Sequence, residues 1–310
     1  MTIQQLQYVV ALDTHRHFVK AADSCFVAQP TLTLQVRKLE DEIGVQIFDR
    51  SKKPIQPTAL GVDIIAKARE IIVQMDSLKA MISDDKTSIE GSYRLAVIPT
   101  LAPYVLPLFL QSFMTEFTQV KFEIFEMQSE HMIQAIKEGK IDIGLIVTPI
   151  DDANIREVSL FNEPFVVYTS LGHELHEKQK IKPEDIEKKG LWLLNQGHCF
   201  RNQVLNICDK REEEAFENLT FESGSIETLK NMVKNNFGFT LIPELAIDHK
   251  NDQEYVRRFV EPQPVREVSL VVHASFTRDA VLEKLRQSIV DSLPDSVQKT
   301  GSFVRVKWRS

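Results

Sequence analysis

A histidine, a cysteine and an arginine stand together in Gly197-His198-Cys199-Phe200-Arg201, and a second cysteine, Cys208, follows nine positions after the first. The 310-residue chain has three cysteines in all, the third being Cys25. A thiol reacts as its thiolate, and a neighbouring histidine cation, an arginine or a helix N-terminus lowers its pKa from about 8.5. His198 and Arg201 can serve Cys199 in this way, and Lys210 and Arg211 can serve Cys208. Thiolate attack on peroxide gives a sulfenic acid, which a second thiol converts to a disulfide. The segment from Cys199 to Cys208 contains no helix breaker, so a helix is expected to start near Cys199. Nine helical steps rise about 13.5 Å, whereas a disulfide tolerates only ~4.4–6.8 Å between Cα atoms. The bond therefore cannot form unless the segment unwinds, and oxidation would rebuild part of the fold.

Blander readings stay open at this point. Free cysteines most often act as small buried hydrophobes, and Cys25, on a short helix, reads as packing. A metal site from His198, Cys199 and Cys208 would lack a fourth ligand and a close Cys-x-x-Cys pair, so no metal and no cofactor is expected. Three cysteines are too few for a disulfide scaffold, and cytosolic thiols are normally reduced. No apolar run reaches the ~18 residues of a membrane span, and Met1-Thr2-Ile3-Gln4-Gln5 lacks the layout of a signal peptide. A cytoplasmic protein without a membrane partner is expected, in which a disulfide would be transient.

The elements that must position these residues follow from apolar spacing. Leu6, Val9 and Val10 mark a helix over 3–14, and residues 18–26 a second short helix. A third starts at Gln29-Pro30-Thr31-Leu32, with proline in the first turn, where its missing N–H is harmless. Leu32, Val36 and Leu39 are its buried face, and Gly44 ends it. Residues 45–48 and 55–57 read as two strands around a basic tip, a wing. Thr58 can cap a long helix running to about residue 83, with apolar positions Leu60, Ile64, Ile65, Ala68, Ile71, Ile72, Met75, Leu78, Met81 and Ile82. That spacing suits a seam against a partner helix; packing on its own domain is the alternative. After a polar boundary near 84–91, strands at 93–98, 122–127, 141–147, 165–169, 191–194, 239–242 and 268–272 alternate with helices at 104–117, 129–138, 226–235 and 280–293. The pattern is α/β with largely parallel sheets, long enough for two lobes and a cleft where strand ends meet helix starts.

A net charge of -7 excludes a chain that is basic throughout; the first 60 residues carry seven Lys and Arg against six Asp and Glu. DNA binding must then rest on local clusters. On the third helix, Pro30, Thr33, Leu34 and Arg37 lie opposite the buried face and could enter a major groove. Thr33 and Arg37 can bond bases or phosphates, and Leu34 can touch a thymine methyl. Gln29 and Thr31 sit at the helix start, and Arg50, Lys52 and Lys53 on the wing tip would follow phosphates.

Residues Ala21-Ala22-Asp23-Ser24-Cys25-Phe26-Val27-Ala28-Gln29-Pro30-Thr31-Leu32-Thr33, then Arg37-Lys38-Leu39-Glu40 and Gly44-Val45-Gln46-Ile47-Phe48, resemble the winged helix of LysR-type transcriptional regulators. Gln56-Pro57-Thr58-Ala59-Leu60-Gly61 is similar to their entry into the linker helix, and Ala28 stands where the family commonly has serine. The resemblance covers the whole chain. It implies an α+β multidomain protein: a winged helix-turn-helix DNA-binding domain over 1–58, a linker and dimerisation helix over 59–87, and a redox-sensing regulatory domain over 88–310. The last would be two-lobed and like periplasmic binding proteins, with lobe I at about 88–162 and 267–310 and lobe II at about 163–266. It also implies homodimers paired through the linker helix, homotetramers on double-stranded promoter DNA, and contact with RNA polymerase.

Gly197-His198-Cys199-Phe200-Arg201 with Cys208 further resembles the sensor segment of the hydrogen-peroxide-responsive members of that family. So do Ile98-Pro99-Thr100-Leu101-Ala102-Pro103-Tyr104, Glu222-Ser223-Gly224-Ser225-Ile226-Glu227-Thr228-Leu229-Lys230-Asn231-Met232 and His15-Arg16-His17-Phe18. On that resemblance Cys199 is the peroxidatic thiol and Cys208 the resolving one. Thr100, Ser129, His198 and Arg201 line the peroxide pocket, and a glutaredoxin or thioredoxin system resets the switch. Ser129 falls where the family has threonine and keeps the hydroxyl. Asn202 replaces a common acidic residue, and an acidic run, Glu212-Glu213-Glu214, follows Cys208.

Three functions compete. A peroxide-sensing regulator of oxidative-stress genes requires a reversible Cys199–Cys208 disulfide. A LysR-type regulator of a small metabolite in the inter-lobe cleft would leave the thiols incidental. A thiol peroxidase would not account for the winged helix and the linker helix, so no enzyme is expected. The tail Phe303-Val304-Arg305-Val306-Lys307-Trp308-Arg309 alternates apolar and basic residues and reads equally as an edge strand, a partner contact or a loose end.

Overall fold

The structure, a computed structural model, describes residues 1–82, 89–186, 189–208, 221–235, 238–298 and 301–309. Lys210, Arg211, Glu212, Glu213 and Glu214 lie outside the described residues, as does most of the polar boundary near 84–91. The chain divides into two compact units, the first built on Met1–Lys86 and the second on most of the rest.

In the first unit α1 (Ile3–His15), α2 (Phe18–Ser24) and α3 (Gln29–Ile43) precede a two-stranded wing, β1 (Phe48–Asp49) and β2 (Gln56–Pro57), and α4 (Ala59–Ile82). Thr2 and Gln5 start α1 with a reciprocal capping box, which satisfies two first-turn donors at once. Leu32, Val36 and Leu39 of α3 are buried with Leu6, Val9, Leu12, Ile47 and Phe48 in one core. Buried Glu40 accepts the Ile47 and Phe48 amides at 2.9 and 3.2 Å, fastening the wing to α3. Gly61 must be glycine, since a Cβ there would lie 2.0 Å from the Ile47 carbonyl oxygen. The Thr58 hydroxyl accepts the Gly61 amide at 2.9 Å, capping α4.

Two expectations are corrected in this unit. The second helix stops at Ser24, and Phe26 is left-handed at φ 55 with 96% of its surface exposed. The first wing strand is the pair Phe48–Asp49 and not 45–48. On α4 the apolar positions do not share one fate. Ile65 and Ala68 are buried in the unit's own core, while Leu60, Val62, Ile71 and Leu78 are exposed.

The second unit contains β3 (Gly91–Val97), α5 (Ala102–Glu116), β4 (Val120–Glu126), α6 (Ser129–Lys137), β5 (Ile143–Thr148) and β6 (Ile155–Thr169). There follow α7 (Glu174–Glu177), β7 (Lys180–Ile181), β8 (Leu191–Trp192), α8 (Cys199–Ile207), α9 (Ile226–Lys234) and β9 (Phe239–Pro243). Then come β10 (Val256–Phe259), β11 (Gln263–His273), α10 (Asp279–Asp291), α11 (Asp295–Gln298) and β12 (Phe303–Arg305). The strand order β4-β3-β5-β11-β6-β10-β7 is mixed, not largely parallel. β3 pairs parallel with β4 and β5, but β11 runs antiparallel to β5 and β6.

β6 and β11 are longer than their apolar cores foretell. β6 pairs with β11 through Ile155–Pro164 and with β9 through Phe165–Thr169, so one strand serves both lobes. Its first half alternates between half-buried and exposed from Arg156 to Leu160, and its second half is buried on both faces, the patterns of one-sided and two-sided strands. The second lobe's core gathers Phe165, Tyr168, Trp192, Phe200, Val204, Cys208, Leu229, Phe239 and Phe259. The C-terminal tail is an edge strand: β12 lies parallel to Gln263–Val265 of β11.

Candidate functional site

Cys199 is the first residue of α8 and Cys208 its C-cap. Both are thiols and each is 4% exposed. Gly197 makes the entry possible with φ +91, and a Cβ there would fall 2.6 Å from Gln128 Oε1; a left-handed, crowded residue is a glycine position. Four groups act on the Cys199 sulfur. Ser129, the first residue of α6, bonds to it, Arg266 faces it with a positive charge, and the backbone N–H groups of Phe200 and Cys199 point at it. All four favour the thiolate. Burial outweighs them and pushes the Cys199 thiol above its ordinary value.

Arg266 is fully buried on β11, and its partners define the site. Its Nη1 donates to Thr100 Oγ1 at 3.0 Å and its Nη2 to the Thr100 carbonyl at 3.0 Å. Its Nη2 also pairs with fully buried Glu163 at 2.7 Å, and its guanidinium lies 5.4 Å from the Phe200 ring centre. Glu163 accepts the Leu245 amide at 2.9 Å as well. Burial pushes the Glu163 carboxyl up, against the pull of Arg266. Because Arg266 donates to the Thr100 oxygen, the Thr100 hydroxyl hydrogen is left to donate elsewhere. The result is a buried site with a thiol, two hydroxyls and a guanidinium paired to a carboxyl group.

The expected activation of Cys199 by a His198 cation is corrected. Burial lowers the His198 pKa, which leaves the imidazole neutral at pH 7. Its Nε2 packs toward Gly224, 3.1 Å from where a Cβ would stand. Arg201 donates to the Leu194 carbonyl at 2.9 Å. Arg266 places a positive charge at the sulfur, and neither it nor its partner Glu163 was among the residues singled out in the sequence. No local signal marked them: β6 and β11 set Arg266 directly opposite Glu163 across the ladder, where opposite charges favour facing positions. Thr100, Ser129 and Cys199 are brought together, whereas Cys208 stands at the far end of α8 within the apolar core.

In the first unit Gln29, Pro30, Thr31, Leu34, Arg37, Lys52 and Lys53 are all exposed, and Thr33 is half-buried. Thr33 donates to the Gln29 carbonyl at 2.9 Å and keeps its oxygen lone pairs. Arg50 is less available than expected, since its Nη2 bonds Glu40 Oε2 at 2.5 Å and braces the wing. Ala28 is the N-cap of α3 and gives its first-turn amides no side-chain acceptor.

Comparison with known proteins covers both units. Residues 3–62 match the bacterial regulatory helix-turn-helix protein profile of the lysR family, and residues 86–294 match the LysR substrate binding domain. The chain is 33% identical over 291 residues to the DNA-binding transcriptional dual regulator OxyR of Escherichia coli K12, covering 93% of this chain and 95% of that one. It is 32% identical over 295 residues to a hydrogen peroxide-inducible genes activator of Haemophilus influenzae, covering 94% and 97%. A full-length OxyR variant from Pseudomonas aeruginosa superposes with a TM-score of 0.83 at 33% identity, over 96% of this chain and 99% of that one. With an exposed recognition helix and wing in one unit and a two-lobed mixed sheet in the other, both matched along their length, this chain belongs to the LysR family of bacterial regulatory proteins.

Proposed function

We propose that this chain is a redox-responsive transcription regulator that senses hydrogen peroxide through a reversible Cys199–Cys208 disulfide and controls oxidative-stress defence genes. One observation carries the reading: two buried thiols stand at the two ends of one nine-residue helix, and Cys199 has Ser129, Arg266 and helix N–H groups around its sulfur. The relatives' names, OxyR and hydrogen peroxide-inducible genes activator, support it.

The Cys199 thiolate attacks one peroxide oxygen. The O–O bond breaks, and the departing hydroxide takes a proton to become water, leaving a sulfenic acid. The Cys208 sulfur then attacks the Cys199 sulfur, the S–O bond breaks and a second water leaves. Thr100 and Ser129 orient the peroxide, Arg266 stabilises the developing negative charge, and neutral His198 and Arg201 shape the wall of the pocket. The event is stoichiometric and its product is a conformational state, so the protein is not an enzyme.

Residues 1–58 bind DNA, 59–87 link and dimerise, and 88–310 sense, with lobes at about 88–162 and 267–310 and at about 163–266. Gln29, Pro30, Thr31, Thr33, Leu34 and Arg37 face the major groove, and Arg50, Lys52 and Lys53 lie near the backbone. The exposed apolar residues of α4 are the surface for a second copy, and a tetramer binds promoter DNA and contacts RNA polymerase. A glutaredoxin or thioredoxin system in the cytoplasm restores the thiols.

Intact-mass and peptide mapping of the reduced chain after low-micromolar peroxide tests the reading. Loss of two hydrogens at a Cys199–Cys208 crosslink, reversed by dithiothreitol, is expected. Both thiols remaining open to alkylation would leave a regulator of a small metabolite. On the DNA side, Arg37→Ala is expected to weaken operator binding and to flatten the salt dependence by about one unit of slope.

A further inference from the structure

The C-terminal tail is tied to the helix that separates the two thiols. Three consecutive tail carbonyls each accept a side-chain amide from α8: Val306 from Gln203 at 2.7 Å, Lys307 from Asn206 at 2.8 Å and Trp308 from Asn202 at 3.2 Å. The next residue, Arg309, grips α6 by donating to both carboxylate oxygens of Glu130 at 2.9 and 2.8 Å. Glu130 follows Ser129, the residue bonded to Cys199. The other end of the tail is anchored in the sheet, where the Val306 amide donates to the Val265 carbonyl at 2.9 Å. One short segment therefore spans both helices that hold the reactive thiol.

We propose that residues 303–309 form a strap that keeps α8 wound, and that Asn202, Gln203 and Asn206 are positioning residues that set how fast Cys208 reaches Cys199. The inference rests on the disulfide reading above. A helical α8 separates the two Cα atoms by about 13.5 Å, and the crosslink needs ~4.4–6.8 Å. The turns that must open for Cys208 to approach are those whose side chains hold the strap. Unwinding moves Asn202, Gln203 and Asn206 off a common ladder of carbonyls, so the three bonds break together. The seat is also imperfectly satisfied: buried Gln203 Oε1 and Trp308 Nε1 find no partner among the described residues. Releasing the strap hydrates those two atoms while it gives up three bonds, which keeps the contact reversible. The chemical steps are unchanged: the sulfenic acid forms at Cys199, and Cys208 closes the S–S bond with loss of water.

The test uses the full-length reduced chain and the double variant Asn202→Ser/Asn206→Ser. Serine has a helix propensity close to that of asparagine but is too short to reach the strap. Crosslink formation after a peroxide pulse is followed by rapid alkylation and mass analysis. Sulfenic acid formation is measured separately in a Cys208→Ser background with a dimedone probe. Crosslinking about tenfold faster in the double variant, with sulfenic acid forming at the unaltered rate, is expected. Hydrogen exchange at Val306, which requires no substitution, is expected to rise in the oxidised chain relative to the reduced one. A crosslink that forms equally fast or more slowly in the variant, with Val306 equally protected in both states, overturns the strap alone. No crosslink in the unaltered chain overturns the disulfide reading and the strap with it.

Discussion

Two of the helices that begin without a side-chain cap, α3 and α8, begin in opposite surroundings. α3 opens after Ala28 and α8 after His198, and neither cap side chain bonds a first-turn amide. A helix start leaves its first N–H groups without helical partners in both cases, and those groups favour negative charge. At α3 the first residues, Gln29, Pro30 and Thr31, are exposed, and water or a phosphate can occupy the place of the missing cap. At α8 the first residues, Cys199 and Phe200, are buried, and the N–H groups meet a sulfur instead. The same backbone feature is thus open to solvent in one unit and aimed at a buried thiol in the other. What separates them is the material packed around: Ser129 and Arg266 stand beside Cys199 in a low-dielectric interior, where a charge acts more strongly than in water.

Removing the sulfur breaks the comparison outright. Cys199→Ser is expected to abolish the crosslink and every peroxide-dependent mass change at α8. Cys208→Ser should keep the first oxidation and lose only the crosslink. Equal loss in the two variants would mean that the α8 start confers nothing on its thiol.

Next in size is Arg266→Ala, which strands Glu163 as a buried carboxylate. Breaking a buried ion pair from one side costs about 3–5 kcal/mol, read as a fall in the urea midpoint. Burial already pushes the Glu163 carboxyl up, so it can neutralise itself by taking a proton. The loss should therefore be smaller at pH 5 than at pH 8, and a pH-independent loss would assign it to packing alone.

The pH dependence of Cys199 oxidation sharpens the contrast between the two helix starts. Its thiol lies above the ordinary value, so the thiolate fraction is still climbing tenfold per unit through pH 6–8. The oxidation rate should rise over that whole range without a plateau. Burial lowers the His198 pKa, so any step from its imidazole is expected below pH 6.5. A plateau below pH 8 would show the donors at α8 outweighing burial.

Smallest is the effect at the exposed start. Ala28→Ser should supply the missing cap of α3 and raise stability by about 1 kcal/mol, measured by thermal or urea unfolding. No change would mean that solvent already serves those amides as well as a hydroxyl can.

The winged unit was largely legible because its signals are local. Pro30 in a first turn, Gly44 at a helix end and four-then-three spacing on α3 are each decided within a few residues, and the structure has α3 running Gln29–Ile43. The long strands were harder to read, because only the doubly buried half of β6 appears as an apolar run. Its alternating half pairs with a strand about a hundred residues away in sequence. That pairing also hid the chemistry of the site. Arg266 and Glu163 look like surface residues until the ladder sets them face to face in the interior. Cys199, Ser129 and Thr100 carried motifs that local sequence could show, but the sign of the pKa shift could not be read. It depends on how completely the lobe closes over the sulfur, and neither His198 nor Arg201 tells that from its position in the chain.

The wound helix between the two thiols has a consequence for what kind of signal this protein reports. A ligand that binds and leaves makes a receptor track concentration from moment to moment. A bond that forms only after a helix has opened does not lapse when the oxidant is gone, because undoing it needs electrons from another thiol. On the proposed function the oxidised fraction would accumulate with each encounter and drain only as fast as reductant arrives. α8 would then make the molecule a record of recent exposure, with its time base set by the supply of reducing equivalents and not by the lifetime of peroxide.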